Sequence, residues 1–497
     1  MSESINPPVH RLLKRRRAGI LLHVTSLPGP GHVGDLGSNA YRFVDFLVSA
    51  GMSVWQILPI GPTMHDNSPY QSSSIYAGNP RLISLEMLLE RGWLKEVPDN
   101  AKGLTDKLKA DCIKLAWEGF KNRANEADRV DLQRFVAEQG WWLEDYALFQ
   151  ALRAELKHCW WNWRKTLRDR DPQALASSRA RLKDLIEATK FEQYLFFTQW
   201  MHLKRYANDR GVLLFGDVPI FVAHDSAEVW AHRGFFDLLE NGHPRVVAGV
   251  PPDYFSATGQ RWGNPLYKWD ALEADGFSFW IDRLKVQSTL FDFLRIDHFR
   301  GFEAYWEIPA TEETAINGHW VKAPGEKLFS ELYKALPHLE LVAEDLGIIT
   351  PEVESMRKAH GLPGMRILQF AFTGGPDNPY LPFRHTRDSV VYTGTHDNDT
   401  TLGWYTSLDD TERELVDDYL GHSREVMPWP MIRCALASRA ALAMIPMQDA
   451  LGLDGVHRMN TPGTTRGNWG WRFHWEDIEP DSGERLLHRV KMYGRCY

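Results

Sequence analysis

The feature that most constrains this chain is an alternation of short apolar runs with helical patterns, repeated about eight times. The runs have the length and composition of β-strands, and they lie at 18–27, 53–61, 212–222, 291–301, 339–347, 365–372, 389–399 and 443–450. Because neighbouring parallel strands must be joined by a crossover, this alternation indicates a closed α/β barrel, the TIM (β/α)8 fold. A length of 497 residues suits one such barrel with insertions.

Two long insertions interrupt the alternation, after the second and the third strands. Residues 62–190 hold a loop and then amphipathic sequence rich in Leu, Ala, Glu, Lys and Trp, which predicts a mostly helical insertion beside the barrel mouth. Residues 223–277 are dense in Gly, Pro and aromatic residues and predict a loop-rich insertion. Loops this long in a compact domain are usually functional. We therefore expect residues 1–497 to form a single barrel unit whose insertions surround its mouth.

The fourth run, FDFLRIDHFRG at 291–301, ends in a dense cluster of charged residues. Arg295 and Asp297 are two residues apart, so that they lie on the same side of a strand. An arginine in this position would keep the carboxylate ionised and oriented, which makes Asp297 a candidate nucleophile. The alternative is a buried ion pair that only stabilises the strand, and this stretch alone does not decide between the two.

Three further acidic residues occupy comparable places. Asp217 lies in the third run, Glu344 ends the fifth and Asp397 ends the seventh. Residues at the C-terminal ends of barrel strands converge on one site even when they are distant in sequence. Chemistry at a glycosidic bond needs two carboxyl groups, one that attacks the anomeric carbon or activates water and one that protonates the leaving oxygen. Glu344 suits the acid and base role, because nearby negative charge raises an acid's pKa, although its motif EDLG is also typical of a helix cap.

A set of ordered motifs resembles those of a known family. FLRIDHFRG, LVAEDLG and YTGTHDNDTT are similar to the nucleophile, acid/base and third-carboxylate motifs of the α-amylase superfamily. LHVTSLPGPGHVGDLG, WQILPIGPT, SPYQSSSIYAGNP, AGVPPDYFSATGQRWGNPLY and RMNTPGT resemble the narrower group of 4-α-glucanotransferases, or amylomaltases, in glycoside hydrolase family 77. The likeness extends from about Gly19 to Trp471. It implies transfer of α-1,4-glucan segments between maltooligosaccharides, or starch or glycogen fragments, by a retaining double displacement.

The resemblance also implies roles for individual residues. Asp297 matches the nucleophile and Glu344 the general acid, which later acts as the base. Asp397 matches the acid that binds the hydroxyls of the reacting sugar and stabilises the transition state. The expected sugar-binding or supporting positions are Tyr70 as an aromatic platform, Asp217 as a further substrate-contacting carboxylate, Arg295 beside the nucleophile, His396 as a hydrogen-bond partner of the sugar, and Asn460 in RMNTPGT.

Simpler explanations stay open for several of these positions. A tyrosine in a turn and an aspartate at a strand end are common, which applies to Tyr70 and Asp217. His396 next to Asp397 could also be half of a metal site, although no third ligand stands at a recognisable spacing. The expectation is therefore that the site holds no metal and no cofactor.

The segment 247–267 has the composition of a lid over the site. Gly249 and Gly259 would serve as pivots, and Tyr254, Phe255 and Trp262 would cover the sugar and exclude water. This interpretation rests on composition and on similarity to the corresponding family loop. Such a lid would favour transfer to a sugar hydroxyl over hydrolysis.

Composition excludes other classes. The formal net charge of -8 argues against a nucleic-acid surface, and no apolar stretch approaches bilayer length. Four cysteines without CxxC spacing favour reduced thiols in the cytoplasm. An α-amylase-type hydrolase and a non-catalytic carbohydrate-binding protein, which the 20 tryptophans would serve, stay as alternatives. The spacing of the glycines in GPGHVGDLG argues against a phosphate-binding site there. The sequence does not indicate an oligomeric state.

Overall fold

The structure is a computed structural model that describes residues 10, 14–97, 103–252 and 256–496 of the chain. Within these ranges the strands are β1 Arg17–Leu21, β2 Val54–Gln56, β3 Leu213–Val218, β4 Val246–Val250, β5 Gln260–Pro265, β6 Phe293–Ile296, β7 Ala304–Pro309, β8 His319–Lys322, β9 Leu341–Ala343, β10 Gly364–Ile367, β11 Ser389–Tyr392 and β12 Leu442–Pro446. The α-helices are Ser38–Ser49, Leu85–Glu90, Asp106–Arg123, Glu126–Leu156, Lys165–Arg168, Pro172–Arg181, Lys183–Asp209, Ala227–Ala231, Trp269–Ala274, Ser278–Leu290, Gly325–Ala335, Pro351–Ala359, Thr401–Ser407, Asp410–Leu420, Trp429–Ala437, Met447–Ala450 and Ser482–Met492.

Eight parallel strands form the barrel, in the order β10-β11-β12-β1-β2-β3-β6-β9. Its two terminal strands meet where the N–H of Ala343 in β9 donates to the C=O of Pro363, the residue before β10, at 2.8 Å. Each barrel strand overlaps one of the eight apolar runs in the sequence. The predicted (β/α)8 barrel is therefore confirmed.

Alternation of side chains along the strands divides the barrel interior into layers, because every second residue of a strand points to the same face. In β6 these residues are Phe293 and Arg295, and Asp297 follows directly after the strand. Phe293 stacks on Phe215 of β3, with ring centroids 4.3 Å apart, within a buried apolar cluster. The charged residues thus begin at the C-terminal edge of an apolar interior.

The long helix Lys183–Asp209 anchors the segment that follows β2. The side chain of Gln193 accepts from the N–H of Gly78 at 2.8 Å and donates to its C=O at 3.0 Å. Gln199, further along the helix, makes the same pair of bonds to Ser84, at 2.7 and 3.0 Å. A carboxamide that satisfies both the N–H and the C=O of one residue fixes that stretch of backbone. The helices of the first insertion are in this way tied to the barrel mouth.

A four-stranded antiparallel sheet, in the order β5-β4-β7-β8, stands apart from the barrel sheet. Its strands β4 and β5 lie within residues 223–277, which the sequence predicted as loop-rich, so the prediction underestimated the regular structure of this segment. Strand β5 has the sequence QRWGNP, in which Gly, Asn and Pro weaken any strand signal. The other partner of β4 is β7, which lies beyond β6 in the chain, and such distant pairing is not visible in a local pattern.

No helix in the part of the chain that the structure describes is long and apolar enough to cross a membrane.

Candidate active site

The four acidic residues singled out in the sequence lie at the C-terminal ends of barrel strands. Asp217 is in β3, Asp297 follows β6, Glu344 follows β9, and Asp397 lies in the segment after β11. In the register of β6 and β9, Arg295 lies opposite Val342, and Asp297 and Glu344 are each two residues further on. The candidate nucleophile and the candidate acid are therefore neighbours on adjacent strands, both directed to the barrel interior.

Arg295 lies at the centre of the charged cluster and is 5% exposed. Its Nη2 contacts Oδ1 of Asp297 at 2.8 Å, the contact expected from their two-residue spacing. Its Nη1 donates to both carboxylate oxygens of Asp217, at 2.9 and 2.7 Å. One guanidinium thus holds two carboxylates, which fixes the orientation of Asp297.

Asp217 differs from the other acids because its side chain is 0% exposed. Besides Arg295, it accepts a hydrogen bond of 2.7 Å from the hydroxyl of Tyr70. Burial raises the pKa of Asp217, and the charge of Arg295 opposes this rise. This carboxylate lies beneath the surface of the cleft, and the contact with substrate that the family resemblance implies for it stays a prediction. Its contacts fit a role in holding Arg295 and Tyr70.

Glu344 has both carboxyl oxygens aligned by backbone donors. The N–H of His298 donates to Oε2 at 2.7 Å, and the N–H of Leu346 donates to Oε1 at 3.1 Å. Burial raises the pKa of Glu344 to about 8; the charge of Asp297 adds to the rise and that of Arg295 opposes it. A carboxyl group with this pKa is protonated at neutral pH and can act as a general acid.

Asp397 is more exposed than Asp217, with 46% of its side chain accessible to solvent. The Nδ2 of Asn460 donates to its Oδ1 at 2.6 Å, and Nε2 of His396 lies 3.4 Å from its Oδ2. Its carboxylate is held on two sides and is still open to the cleft. This arrangement suits an acceptor for sugar hydroxyls.

Three rings form an aromatic group beside these acids. Tyr70 and His396 stack with centroids 5.3 Å apart and planes inclined by 16°. The ring of Trp469 lies 6.0 Å from Tyr70 and 5.9 Å from His396. No sequence motif predicted a role for Trp469, although it follows Asn460 by nine residues in the same C-terminal segment.

His23 is a second residue at the site for which the sequence predicted no role. It is 6% exposed, and it follows β1 on the inward side, two residues after Leu21. Burial lowers the pKa of His23 to about 3, with a further contribution from the charge of His396. The alternation of β1 would have identified this neutral histidine at the mouth.

Trp262 is the lid residue that the structure describes. Its ring meets that of His298, the residue after Asp297, edge to face at 5.0 Å and 88°. Burial lowers the pKa of His298 to about 4, so its ring is neutral at the contact. The other two aromatic residues expected in the lid, Tyr254 and Phe255, lie outside the described residues.

In the described ranges, no group of three or more His, Cys, Asp or Glu side chains has an arrangement that could hold a metal ion.

Comparison with known proteins gives consistent matches over nearly the whole chain. The sequence profile of the family described as 4-alpha-glucanotransferase matches residues 22–478. A 4-alpha-glucanotransferase of Thermus thermophilus is 50% identical over 95% of this chain and 97% of its own length. The enzyme of the same name from Synechocystis sp. is 47% identical over 97% and 99%. A solved structure of amylomaltase from Streptococcus agalactiae in complex with acarbose is 35% identical, with a TM-score of 0.93 over 97% of this chain and 100% of that one.

Proposed function

The chain belongs to the 4-α-glucanotransferases of glycoside hydrolase family 77, the amylomaltases, and we propose that Asp297, Glu344 and Asp397 carry its reaction. As a member of this family the protein is a glycosyltransferase that acts on α-1,4-glucans. The observation that supports the assignment is the contrast between two neighbouring acids. Asp297 is ion-paired with Arg295 at 2.8 Å, whereas burial raises the pKa of Glu344 to about 8. One acid is suited to attack and the other to donate a proton.

In the first displacement, a carboxylate oxygen of Asp297 attacks the anomeric carbon of the donor glucan. Glu344 gives its proton to the glycosidic oxygen as the bond between that oxygen and the anomeric carbon breaks. The fragment on the reducing-end side leaves, and the remaining glucan is bound to Asp297 as an ester of inverted configuration.

In the second displacement, Glu344 is a carboxylate and accepts the proton of the incoming 4-hydroxyl of another glucan or of glucose. The hydroxyl oxygen bonds to the anomeric carbon as Asp297 leaves, which restores the α-configuration. The product is a glucan lengthened by the transferred segment, and Glu344 is again protonated. Water in place of the acceptor would give hydrolysis, the outcome of the alternative α-amylase-type function.

Sugar binding in this proposal uses the groups that surround the two acids. Asp397 accepts from hydroxyls of the reacting glucose, and His396 and Asn460 hold it for that task through the contacts at 3.4 and 2.6 Å. Tyr70 presents its ring as a platform, and its hydroxyl is fixed on Asp217. Asp217 then acts through Arg295 and Tyr70, without touching the sugar.

We also propose that residues 247–267 close over the bound sugar. The segment is built on the hairpin of β4 and β5, in which Gly259 has φ +66°, a conformation suited to glycine. Trp262 contributes the contact with His298 beside Asp297. In the sequence, Tyr254 and Phe255 come after β4 and before β5. Exclusion of water by these rings would favour a sugar acceptor.

The chain in this proposal works as one catalytic unit, with the insertions at 62–190 and 223–277 around its mouth. The cytoplasmic location inferred from the sequence stays a prediction.

The test of the function is incubation of the purified protein with maltotriose alone, followed by separation of the products by length and an assay of free glucose. We expect a ladder of longer maltodextrins together with glucose, and we expect Asp297→Asn to abolish both. Shorter sugars without longer ones would indicate the hydrolase, and no reaction would contradict catalysis.

A further inference from the structure

The segment 297–302, which follows the nucleophile strand, lies between the acid/base segment and the antiparallel sheet. It leads from Asp297 through a short 3-10 helix, Phe299–Phe302, to β7. Arg300 is in this helix and is 7% exposed, although it carries a charge that water would solvate well. A buried guanidinium needs partners that compensate for lost hydration.

The first partner of Arg300 is the segment that carries Glu344. Nη1 of Arg300 donates to the backbone C=O of Ile348 at 2.5 Å. Two residues earlier in the chain, the N–H of His298 donates to Oε2 of Glu344. Residues 344–348 are therefore bound to the nucleophile segment at both ends, by His298 at Glu344 and by Arg300 at Ile348.

The second partner of Arg300 is the antiparallel sheet. Its guanidinium carbon lies 3.8 Å from the ring centroid of Trp320 in β8. Trp320 in turn packs edge to face on Trp306 of β7, with centroids 5.1 Å apart and planes at 70°. A guanidinium stacked on an indole is attracted electrostatically and is restricted to one plane. The sheet thus orients the arginine toward the C=O of Ile348.

From these contacts we propose that Arg300, oriented by Trp320, is a positioning residue. It holds residues 344–348 and so keeps the carboxyl group of Glu344 correctly placed relative to Asp297. The proposal rests on the proposed function, in which Glu344 transfers the proton. Without the guanidinium, Ile348 loses its link to the nucleophile segment, and the bonds that join residues 297–302 to residues 344–348 are those at Glu344, from the N–H groups of His298 and Phe299. Proton transfer is sensitive to such displacement, because a shift of about 1 Å can lower a rate on the order of a hundredfold.

The test compares two donors that differ in their need for an acid. Cleavage of maltotriose requires protonation of the leaving oxygen, whereas fluoride leaves from α-maltotriosyl fluoride without it, and azide as acceptor requires no base. We expect Arg300→Met to lower kcat with maltotriose on the order of ten- to a hundredfold. With α-maltotriosyl fluoride and azide it should stay within about threefold of the wild type, since Asp297 is unaffected. Arg300→Lys should retain more maltotriose activity than Arg300→Met, because lysine can still donate to Ile348.

Two further variants complete the comparison. Trp320→Ala should reduce maltotriose turnover in the same selective way, but less. Arg413→Met is the matched control: Arg413 also lies over an aromatic ring, Tyr405, and donates to a backbone C=O, that of Leu408, at 2.7 Å. It is in the helix Asp410–Leu420, and its loss should leave both donors unaffected.

Glu344→Gln separates failure of this inference from failure of the proposed function. It should lose maltotriose turnover and keep reaction of the fluoride with azide; if it keeps both, the assignment of Glu344 is wrong. If Glu344→Gln behaves as expected and Arg300→Met either reduces both donors equally or reduces neither, the positioning role of Arg300 is overturned. Thermal melting of each variant shows whether a general loss comes from unfolding.

Discussion

Nδ2 of Asn460 donates to Oδ1 of Asp397 at 2.6 Å, across 63 residues of chain. Asp397 follows the seventh barrel strand, and Asn460 lies beyond the eighth. The C-terminal segment is therefore part of the site. Because Asp397 is half exposed, this bond determines which way its carboxylate faces.

Asn460→Ala is expected to lower kcat/KM for maltotriose about tenfold, the loss of one hydrogen bond to a charged group. Asn460→Asp should lower kcat/KM further, since it places a second negative charge against Asp397. Asn317→Ala is the control, because Asn317 makes the same kind of bond, 2.8 Å to Glu312, on the exposed surface. If both Asn460 variants are as active as the wild type, Asn460 has no role in the reaction.

Dependence on pH tests the acid role of Glu344. The first displacement needs the protonated carboxyl, so kcat/KM for maltotriose should fall as pH rises through about 8. The decrease should be absent when α-maltotriosyl fluoride is the donor and azide the acceptor, because neither requires a proton transfer. A decrease at the same pH with both donors would assign it to another group.

The same raised pKa predicts a pH-dependent cost in stability. Between the ordinary glutamate pKa, about 4.3, and the folded value, the folded protein binds a proton that the unfolded chain does not, so this residue's contribution to stability falls as pH rises across that window. Glu344→Gln is neutral at every pH and should melt roughly 1–3 °C above the wild type at about pH 9. The difference should vanish near pH 4. The control variant Glu138→Gln changes an exposed glutamate and should show no such trend.

Asp217 should act through Arg295 rather than through the substrate. Asp217→Asn and Arg295→Lys are each expected to lower kcat on the order of a hundredfold, because each disturbs the orientation of Asp297. The double variant should lose about as much as the worse single variant, since both changes disrupt one network. If the reductions in kcat of the two single variants instead multiply in the double variant, and KM rises for Asp217→Asn alone, Asp217 contacts the sugar directly.

The lid is tested by the ratio of hydrolysis to transfer. Alanine at both Tyr254 and Phe255, or at Trp262, should raise the ratio of reducing sugar formed by hydrolysis to maltodextrin formed by transfer, because water gains access to the glycosyl-enzyme. Trp141→Ala is a matched control, since Trp141 is 50% exposed on the helical insertion. An unchanged ratio in both lid variants would argue against gating.

Much of the architecture could be predicted from the sequence. Apolar runs and intervening helical patterns are local signals, and the (β/α)8 prediction followed from them because parallel strands require crossovers. Similarly, the spacing of Arg295 and Asp297 was sufficient to predict their contact, since residues two apart share one face of a strand. The antiparallel sheet was missed because β4 pairs with β7, which lies beyond β6 in the chain, and such pairing depends on distant residues.

By itself, the sequence determined the eight strands and the acidic residue types at four of their C-terminal ends. It did not show which of those acids are enclosed, because burial and charge partners depend on how the strands assemble. Asp217 and Asp397 are both aspartates near strand ends, yet one is enclosed by Arg295 and Tyr70 and the other is open to the cleft. Only the tertiary structure brought Glu344 beside Asp297 and away from water, and that removal from solvent is what raises its pKa.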